Sequence, residues 1–347
     1  MKTAIDYVSV KEARNRLYSS VTFSPRVEAV PFEDAHRRVL AEDIVSELNI
    51  PAADMAHHDG YAVRSADTTH ASPTNPVVLK IAGEVTLGVK PAATLKAGEA
   101  WRIPTGGFLP SHSDAVIMKE AVEVSKDGAI LLNSPVRVGE SLVPKALDVR
   151  SGNVLLKRGE EVRAQDVSLL GSLRRLRVRV ARRPVVAILS IGNELVNNVE
   201  ELTDDKTMAS HANMVSALIE ETGCTPLPLG IVSDEPREIG ERIKNALDRA
   251  DALLTIGGSS VGSRDYVPQV ADSLGKPGML FRGLKIHPGR MGGAGVVNGK
   301  PIIILPGLIQ SAVIVYFTVA YPLLKRMLGV GVHGDGALCG VRLEKAV

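Results

Sequence analysis

The sequence predicts a multi-domain α/β protein, in which an αβα sandwich with a mainly parallel sheet is joined to a small β domain and a linker domain. From residue 184 onward, short aliphatic runs alternate with helical segments, which is the order expected of parallel strands joined by crossover helices. Between residues 46 and 145, helical periodicity is weak and short β-like runs are separated by glycine and proline. The length of 347 residues also exceeds the usual size of one domain.

Changes in periodicity along the chain predict the domain boundaries. The expected segments are a linker domain of helical and extended pieces (1–45 and 146–183), a small β domain (46–145), an α/β domain (184–330) and a short tail (331–347). In the linker domain, Ser9-Val10-Lys11-Glu12 has the spacing of a capping box and predicts the start of a helix. Residues 32–40 predict a short amphipathic helix, and arginines alternate with apolar residues over 175–179, as on an exposed strand face.

Charge and cysteine content exclude several classes of protein. The net charge is +2 and only 3% of residues are aromatic, so neither a nucleic-acid surface nor a membrane-binding field is expected. Cys224 and Cys339 lie in unrelated contexts, which argues against a metal motif and against a disulfide framework. With no apolar signal region at the first residues, we expect a protein of the reducing cytoplasm.

The nearly uncharged segment 308–324 is tested as a membrane span. It falls just short of the roughly 20 apolar residues that cross a bilayer. It also contains Gln310, Ser311, Thr318 and Pro322. We therefore expect a helix that is buried against the sheet.

Four loops are expected to meet at one edge of the α/β sheet, because ligands of such sheets bind beyond the carboxyl ends of the strands. The loops are residues 190–194, 233–235, 257–265 and 306–307. Three acids lie on them, namely Glu194, Asp234 and Asp265. A basic stretch close by in the sequence contains Lys285, His287 and Arg290. Acids, cations and a glycine-rich turn together favour a metal-bound phosphate or oxyanion, although each acid alone would also serve as a helix cap.

The loop at 257–265 follows an aliphatic strand and precedes a helix. Its small residues begin with Gly257, Gly258, Ser259 and Ser260. Such a loop points backbone N–H groups towards an anion, and an ordinary strand-to-helix turn is the alternative. In the β domain, His57-His58-Asp59 has metal-ligand residue types. Adjacent side chains of an extended segment point to opposite faces, so a shared metal ion is not expected there.

Taken together, these motifs resemble those of the molybdopterin molybdenumtransferase family, the type of MoeA and the gephyrin E domain. The resemblance runs from the first predicted helix to about residue 328. The matching stretches, in chain order, are residues 38–43, Asp59-Gly60-Tyr61-Ala62-Val63-Arg64, Pro104-Thr105-Gly106-Gly107, residues 113–117, Gly192-Asn193-Glu194-Leu195, residues 257–266, Pro288-Gly289-Arg290 and Leu305-Pro306-Gly307.

The resemblance implies a homodimer that inserts molybdenum from molybdate into molybdopterin, after Mg²⁺-dependent hydrolysis of adenylated molybdopterin. Residues 1–45 and 146–183 would then also serve dimerisation. By position, Asp59 and Thr105 belong to one subunit's side of the site, and the partner subunit contributes its α/β domain. The residues implied on that α/β side are Glu194, Asp234, Ser260 and Asp265, with Asp234 and Asp265 as metal ligands. The resemblance implies that Asp59, Thr105, Glu194 and Asp265 are catalytic. The residues expected to contact the pterin or phosphate are Gly257, Gly258, Ser259, Ser260, Lys285, His287, Arg290, Pro306 and Gly307.

The sequence departs from the family pattern at several positions. His287 replaces a lysine, with Lys285 and Arg290 as nearby cations, and His211-Ala212-Asn213 replaces Asp-Ser/Thr-Asn. The sequence is also expected to lack the usual C-terminal β domain. Two further hypotheses therefore stay open. One is a non-catalytic paralogue that acts as a binding or scaffold partner of other cofactor-biosynthesis proteins, and the other is an enzyme for another nucleotide-like substrate.

Overall fold

The computed structural model describes residues 7–258 and 266–330. Their contacts divide the chain into two compact units, called here the α/β unit (Met1–Glu42 and Lys157–Val347) and the β unit (Asp43–Leu156). The finer expectation that 1–45 and 146–183 form a linker domain of their own stays a prediction. The predicted tail, 331–347, lies outside the described residues.

The described helices and strands are as follows. The helices are α1 (Val10–Ser20), α2 (Ala164–Ser172), α3 (His211–Thr222), α4 (Pro236–Arg249), α5 (Tyr266–Leu274), α6 (Ile309–Val315) and α7 (Tyr321–Met327). The strands are β1 (Val27–Pro31), β2 (Ile44–Val45), β3 (Met55–Ala56), β4 (Gly60–Val63), β5 (Val77–Glu84), β6 (Glu99–Ile103), β7 (Ala115–Met118), β8 (Glu123–Val124), β9 (Ala129–Leu132), β10 (Leu142–Val143), β11 (Val154–Leu156), β12 (Arg177–Ala181), β13 (Val185–Ile191), β14 (Leu195–Val196), β15 (Thr207–Met208), β16 (Thr225–Val232), β17 (Ala252–Ile256), β18 (Pro277–Arg282), β19 (Gly293–Val297) and β20 (Lys300–Leu305).

The α/β unit contains a six-stranded sheet in the order β16-β13-β17-β20-β19-β18. Strands β16, β13, β17 and β20 pair in parallel, whereas β19 pairs antiparallel with both of its neighbours, β20 and β18. One face packs on α1, α3, α6 and α7, and the other on α4 and α5. This is the αβα sandwich that the alternating pattern predicts, because strands covered on both faces are aliphatic throughout.

Strands β18 and β19 have no counterpart in the sequence prediction. Gly278 in β18 and Gly293 and Gly295 in β19 dilute the apolar pattern that identifies a strand. A Cβ added at Gly295 would lie 2.6 Å from the carbonyl oxygen of Gly278, so the two backbones pack at a distance that only glycine allows.

The segment tested as a membrane span forms a helix with one face buried against the sheet, as expected. Helices α6 and α7 are joined by a π-helical turn, Tyr316–Ala320. Tyr316 is buried, and its hydroxyl donates to the carbonyl oxygen of Leu218 at 2.7 Å and lies 2.6 Å from the Thr222 hydroxyl. These bonds attach the helix to α3. Among the described residues, no helix is long and apolar enough to cross a membrane.

The prediction for residues 32–40 is wrong beyond the first turn. Only Phe32–Ala35 is helical, as a 3₁₀ turn. Arg37 then adopts a left-handed φ of 59°, and its N–H donates to the carbonyl oxygen of Val162. Leu40 forms a bridge with Val180. Pairing with distant segments therefore replaces the helical hydrogen bonds that the local periodicity favours.

Two local predictions for the α/β unit are confirmed. The Ser9 hydroxyl accepts a hydrogen bond from the N–H of Glu12 at 3.2 Å and caps α1. In β12, Arg177 and Arg179 are exposed while Val178 and Val180 are buried, so these two arginines lie on a solvated strand face, whereas Arg175 precedes the strand and is half-buried.

The β unit contains a second six-stranded sheet, in the order β7-β4-β6-β5-β9-β8. Strand β4 is buried along its whole length between β6 and β7. A Cβ added at Gly60 would lie 1.8 Å from the carbonyl oxygen of Ile117 in β7. This close approach explains why glycine follows Asp59 at the start of β4.

We expect Gly60→Ala to lower the free energy of unfolding of the β unit by about 3 kcal/mol, because the new methyl group displaces the β7 backbone. Urea unfolding followed by fluorescence measures this directly, since Trp101 in β6 is the single tryptophan of the chain.

Gly128→Ala is the matched control. Gly128 also lies in the β unit, with a positive φ of 75° and open space around it, so its substitution costs about 1 kcal/mol of backbone strain alone. Equal losses in the two variants would contradict the steric explanation.

Candidate functional site

A cavity of about 660 Å³ lies at the carboxyl ends of β13, β17 and β20. Ile191, Ile256 and Leu308 contribute to its apolar part. Three of the four predicted loops meet there, together with the segment before α3. The lining residues are Ser190, Ile191, Glu194, Leu195, Thr207, Met208, Ala209, His211, Ile256, Gly257, Gly258, Met291, Pro306, Gly307 and Leu308.

The two glycines after β17 shape the floor of this cavity. Gly257 has a φ of 87°, and its N–H donates to the carbonyl oxygen of Leu305 at 2.9 Å. A Cβ there would lie 2.6 Å from the carbonyl oxygen of Ile191. Gly258 has a φ of 71° and would place a Cβ 2.6 Å from Val267. Both the conformation and the space therefore require glycine. The predicted residues Ser259, Ser260 and Asp265 lie outside the described residues.

Glu194 lines the cavity and Asp234 does not. The exposed Glu194 carboxylate folds back over Gly192, where an added Cβ would lie 2.5 Å from either carboxylate oxygen. Asp234 faces Asn193 instead. It accepts from the Asn193 N–H at 3.4 Å, and its own N–H donates to the Asn193 side chain at 3.1 Å. Asp234 thus holds the loop that carries Glu194.

The predicted cations do not line the cavity. Lys285 and His287 are exposed, and Arg290 stacks over the ring of Tyr7 with 4.3 Å between its guanidinium carbon and the ring centroid. The backbone N–H of Lys285 donates to Val8. Met291, the residue after Arg290, reaches the cavity wall.

Sequence reasoning missed several residues around this cavity. The ammonium group of Lys206 donates to the carbonyl oxygen of Asn193 at 2.7 Å, which brings a cation to the loop beside Glu194. Thr207, Met208 and His211 line the wall because β15 pairs with β14. The sequence did draw attention to His211, because it occupies a position where the family pattern has aspartate. Residues 206–208 carry no such signal.

In the β unit, Asp59 and Thr105 form a hydrogen-bonded pair. One carboxylate oxygen of Asp59 accepts from the Thr105 N–H at 2.8 Å and from its hydroxyl at 2.9 Å. The other lies 3.5 Å from the ammonium group of Lys119. The N–H of Thr105, then its hydroxyl, lower the pKa of Asp59, and Lys119 adds to this. Asp59 is therefore held as an exposed carboxylate.

The expectation that His57 and His58 point to opposite faces is wrong. The chain bends at residues 57–59, and the two ring centroids lie 4.4 Å apart in an edge-to-face contact. A ring nitrogen of His57 lies 3.2 Å from one of His58. Among the described residues, no group of three or more potential metal ligands comes together here or elsewhere.

Comparisons with known proteins cover both units. A family model of the MoeA N-terminal region (domains I and II) matches residues 8–173, and a model of a probable molybdopterin-binding domain matches residues 187–326. The molybdopterin molybdenumtransferase of Nostoc sp. is 32% identical over 96% of this chain and 78% of its own length. That of Bacillus subtilis is 36% identical over 76% of this chain and 61% of its own length.

Solved structures agree with the sequence matches. A molybdopterin biosynthesis MoeA protein from Pyrococcus horikoshii superposes with a TM-score of 0.84 and 34% identity, over 94% of this chain and 81% of its own. A molybdenum cofactor biosynthesis protein from Pyrococcus furiosus, at 18% identity and a TM-score of 0.53, shares the fold.

We expect Thr105→Val to raise the pKa of Asp59 towards its ordinary value, because the hydroxyl bond is lost while the N–H bond remains. A lowered pKa in the folded state stabilises the fold above the unfolded-state pKa of about 3.9, and this contribution is lost as the pH falls through the folded-state value. Titration of the Asp59 carboxyl carbon by NMR measures the change.

Thr105→Ser keeps the hydroxyl and is the control. Its Asp59 should titrate as in the wild-type protein. A valine variant with an unchanged Asp59 pKa would show that the hydroxyl bond is absent in solution.

Proposed function

This chain belongs to the molybdopterin molybdenumtransferase family, and we propose that its α/β unit binds molybdopterin or adenylated molybdopterin in the cavity beyond β13, β17 and β20. The observation that carries the proposal is the cavity itself. Its volume suits a small organic ligand, and it combines an apolar wall with a few polar groups and a glycine backbone. As a member of this family, the protein acts in molybdenum cofactor biosynthesis.

The chemistry of the lining supports this ligand. A flat, fused ring packs against side chains such as Ile191, Ile256 and Leu308. Gly257 and Gly258 line the cavity without side chains of their own, and because the Gly257 N–H is used in the bond to Leu305, the Gly258 backbone is the one proposed to face a phosphate. Glu194 supplies an acceptor at the cavity for ring N–H groups. Pro306 and Gly307 complete this edge after β20.

The fit of Mg²⁺ is tested against the same residues. Mg²⁺ is commonly held by one or two carboxylates together with substrate phosphates. Of the described acids, Glu194 lines the cavity and Asp234 supports its loop, so a site completed by the substrate fits better than a cage made by the protein alone. In the proposal, Asp265 would hold the ion together with the substrate phosphates, and Asp234 would have to turn from Asn193 to add a second carboxylate. The ion would supply positive charge against the phosphate.

The full proposal is a transferase. Adenylated molybdopterin is hydrolysed to release AMP, and molybdenum from the substrate molybdate is left on the pterin dithiolene. Asp59, Thr105, Glu194 and Asp265 are the proposed catalytic residues. The rival is a protein that binds the pterin without turnover and serves other cofactor-biosynthesis proteins. Binding and AMP release therefore have to be measured separately.

We expect purified protein to bind adenylated molybdopterin, as followed by pterin fluorescence. Ala209→Phe should weaken this binding strongly, because Ala209 lines the cavity and the added ring occupies space that the ligand needs. Val199→Phe is the control, since Val199 is exposed and outside the cavity. Equal binding by both variants would place the ligand elsewhere.

The same titration tests catalysis. With Mg²⁺ present, the wild-type protein should release AMP, whereas Asp265→Asn should bind the adenylate and lose most of this release. Binding without AMP release in the wild-type protein would favour the non-catalytic rival. Unchanged release in Asp265→Asn would overturn the role of Asp265.

A homodimer is the further proposal, and it is supported by an apolar face on the continuous helix formed by α6, the π turn and α7. Ile314, Phe317 and Tyr321 are each more than a third exposed, although they are apolar or aromatic. Such a patch on a folded unit is typical of an interface. In the proposed dimer, Asp59 and Thr105 of one subunit complete the cavity of the other.

Mixed dimers test this arrangement. Asp59→Asn and Glu194→Gln should each be inactive alone. When the two variants are refolded together in equal amounts, half of the dimers are mixed. Each mixed dimer has one intact site of its two, so about a quarter of the wild-type AMP release should return. No recovery, with mixed dimers verified by mass spectrometry, would place both residues in one subunit's site.

We place this activity in the cytoplasm. Cysteine usage supports this location, because Cys224 is a buried thiol and burial raises its pKa to about 12. A thiol of this kind is inert to disulfide exchange and fits a protein that needs no oxidising compartment.

A further inference from the structure

The α/β unit has a second pocket at the opposite edge of its sheet. It lies at the amino ends of β13, β17 and β20, where Pro184, Asp251 and Lys300 precede or begin the strands. Its volume is about 190 Å³, which suits a single small ion or terminal group. None of its lining residues belongs to the cavity described above.

Positive charge dominates this basic pocket. Arg26, Arg182, Arg183 and Lys300 line it, against the single carboxylate of Asp251. Within the described part of the chain, Arg26, Arg182 and Arg183 form no ion pair, and all three side chains are exposed. The ammonium group of Lys300 donates to the carbonyl oxygen of Leu247. Like charges that share a concave surface repel one another, and an anion relieves this repulsion.

Backbone hydrogen bonds hold the charged segments in place. The N–H of Arg182 donates to the carbonyl oxygen of Arg26 at 2.7 Å, which ties two arginine-bearing segments together. Asp251 and Val185 are bonded twice, from the Asp251 N–H to the Val185 carbonyl at 2.7 Å and from the Val185 N–H to the Asp251 carboxylate at 2.9 Å. The backbone of the pocket is therefore ordered before any ligand arrives, and only the exposed arginine side chains have to be ordered on binding.

We propose that this basic pocket binds a phosphate group, either as inorganic phosphate or as the terminal phosphoryl group of a nucleotide. Guanidinium groups match the oxygen spacing of phosphate and form charge-assisted hydrogen bonds to it. The small volume excludes an extended acidic peptide.

Asp251 gives the site its selectivity. One of its oxygens accepts from the Val185 N–H, and the other has no hydrogen-bond donor among the described residues, so it can accept one from a protonated ligand. Hydrogen phosphate carries such a proton at neutral pH, whereas sulfate and molybdate do not. A carboxylate beside an unprotonated oxyanion is repulsive. The pocket therefore accepts phosphate and rejects the oxyanion substrate of the proposed transferase reaction, so that the two sites do not compete.

Calorimetric titration at low ionic strength tests the proposal with inorganic phosphate, sulfate, molybdate and ADP. We expect phosphate to bind the wild-type protein, with about a tenfold weaker affinity in Arg183→Gln and in Arg26→Gln, which corresponds to about 1.4 kcal/mol for each lost charged contact. Arg237→Gln is the control, because Arg237 lies on α4 and pairs with Glu241 outside the pocket.

Three outcomes decide the question. Unchanged phosphate affinity in the Arg26→Gln and Arg183→Gln variants would overturn the site. Sulfate binding as tight as phosphate binding in the wild-type protein would overturn the role of Asp251. Asp251→Asn removes the repulsive carboxylate, so this variant should bind sulfate. ADP binding that is weakened in Arg26→Gln and Arg183→Gln would identify a nucleotide phosphoryl group as the ligand. Phosphate binding without such ADP binding would identify the free ion.

The cavity variant keeps this test separate from the proposed function. Ala209→Phe should lose the pterin and retain arginine-dependent phosphate binding. Arg183→Gln should show the reverse. Loss of both ligands in either variant, with an unchanged thermal unfolding midpoint, would show that the two sites are one.

Discussion

The register of three parallel strands is the constraint on which the rest of the α/β unit depends. Ser190 of β13 lies beside Ile256 of β17, and Ile256 lies beside Leu305 of β20. The strands therefore end at the same level, and their loops emerge side by side. The N–H of Gly257 extends this ladder by one bond to Leu305. Without that register, the loops would not enclose a cavity.

The same register explains why the two ends of the sheet differ. At the carboxyl ends, glycines and apolar side chains leave an open cavity with an acid on its wall. At the amino ends, Arg182 and Arg183 precede β13, Lys300 begins β20, and the carboxylate of Asp251 accepts from the first N–H of β13. One sheet thus presents surfaces of contrasting charge at its two edges.

Much of this fold is predictable from sequence because its signals are local. Uninterrupted aliphatic runs identify β13, β17 and β20, and Ser9 marks the start of α1 by its own hydrogen bond. Failures occur where distant contacts decide. Residues 36–40 leave the helix to pair with Val162 and Val180, and β18 and β19 are joined through glycines that carry no hydropathy signal.

The residues of the candidate site also fall into two groups, those predictable from the sequence and those placed by distant contacts. Glu194, Gly257, Gly258, Pro306 and Gly307 are predictable because they follow strands that end together. Lys206 reaches the site through a hydrogen bond to Asn193 that no spacing rule encodes. Lys285 and Arg290 are close to the loops in sequence but are held at Val8 and Tyr7 instead. Proximity along the chain was a poor guide there, and strand topology was a good one.

The π-helical turn at Tyr316–Ala320 has a consequence for how this chain is aligned with its relatives. A π turn holds an additional residue, so it shifts the angular phase of every side chain that follows. Removing one residue would rotate Leu323 and Leu324 by about 100° and turn them out of the core. A relative whose helix is regular throughout would therefore align with a gap of one residue at this point. The gap would mark a change of helical phase, while the side chains that follow still face the core.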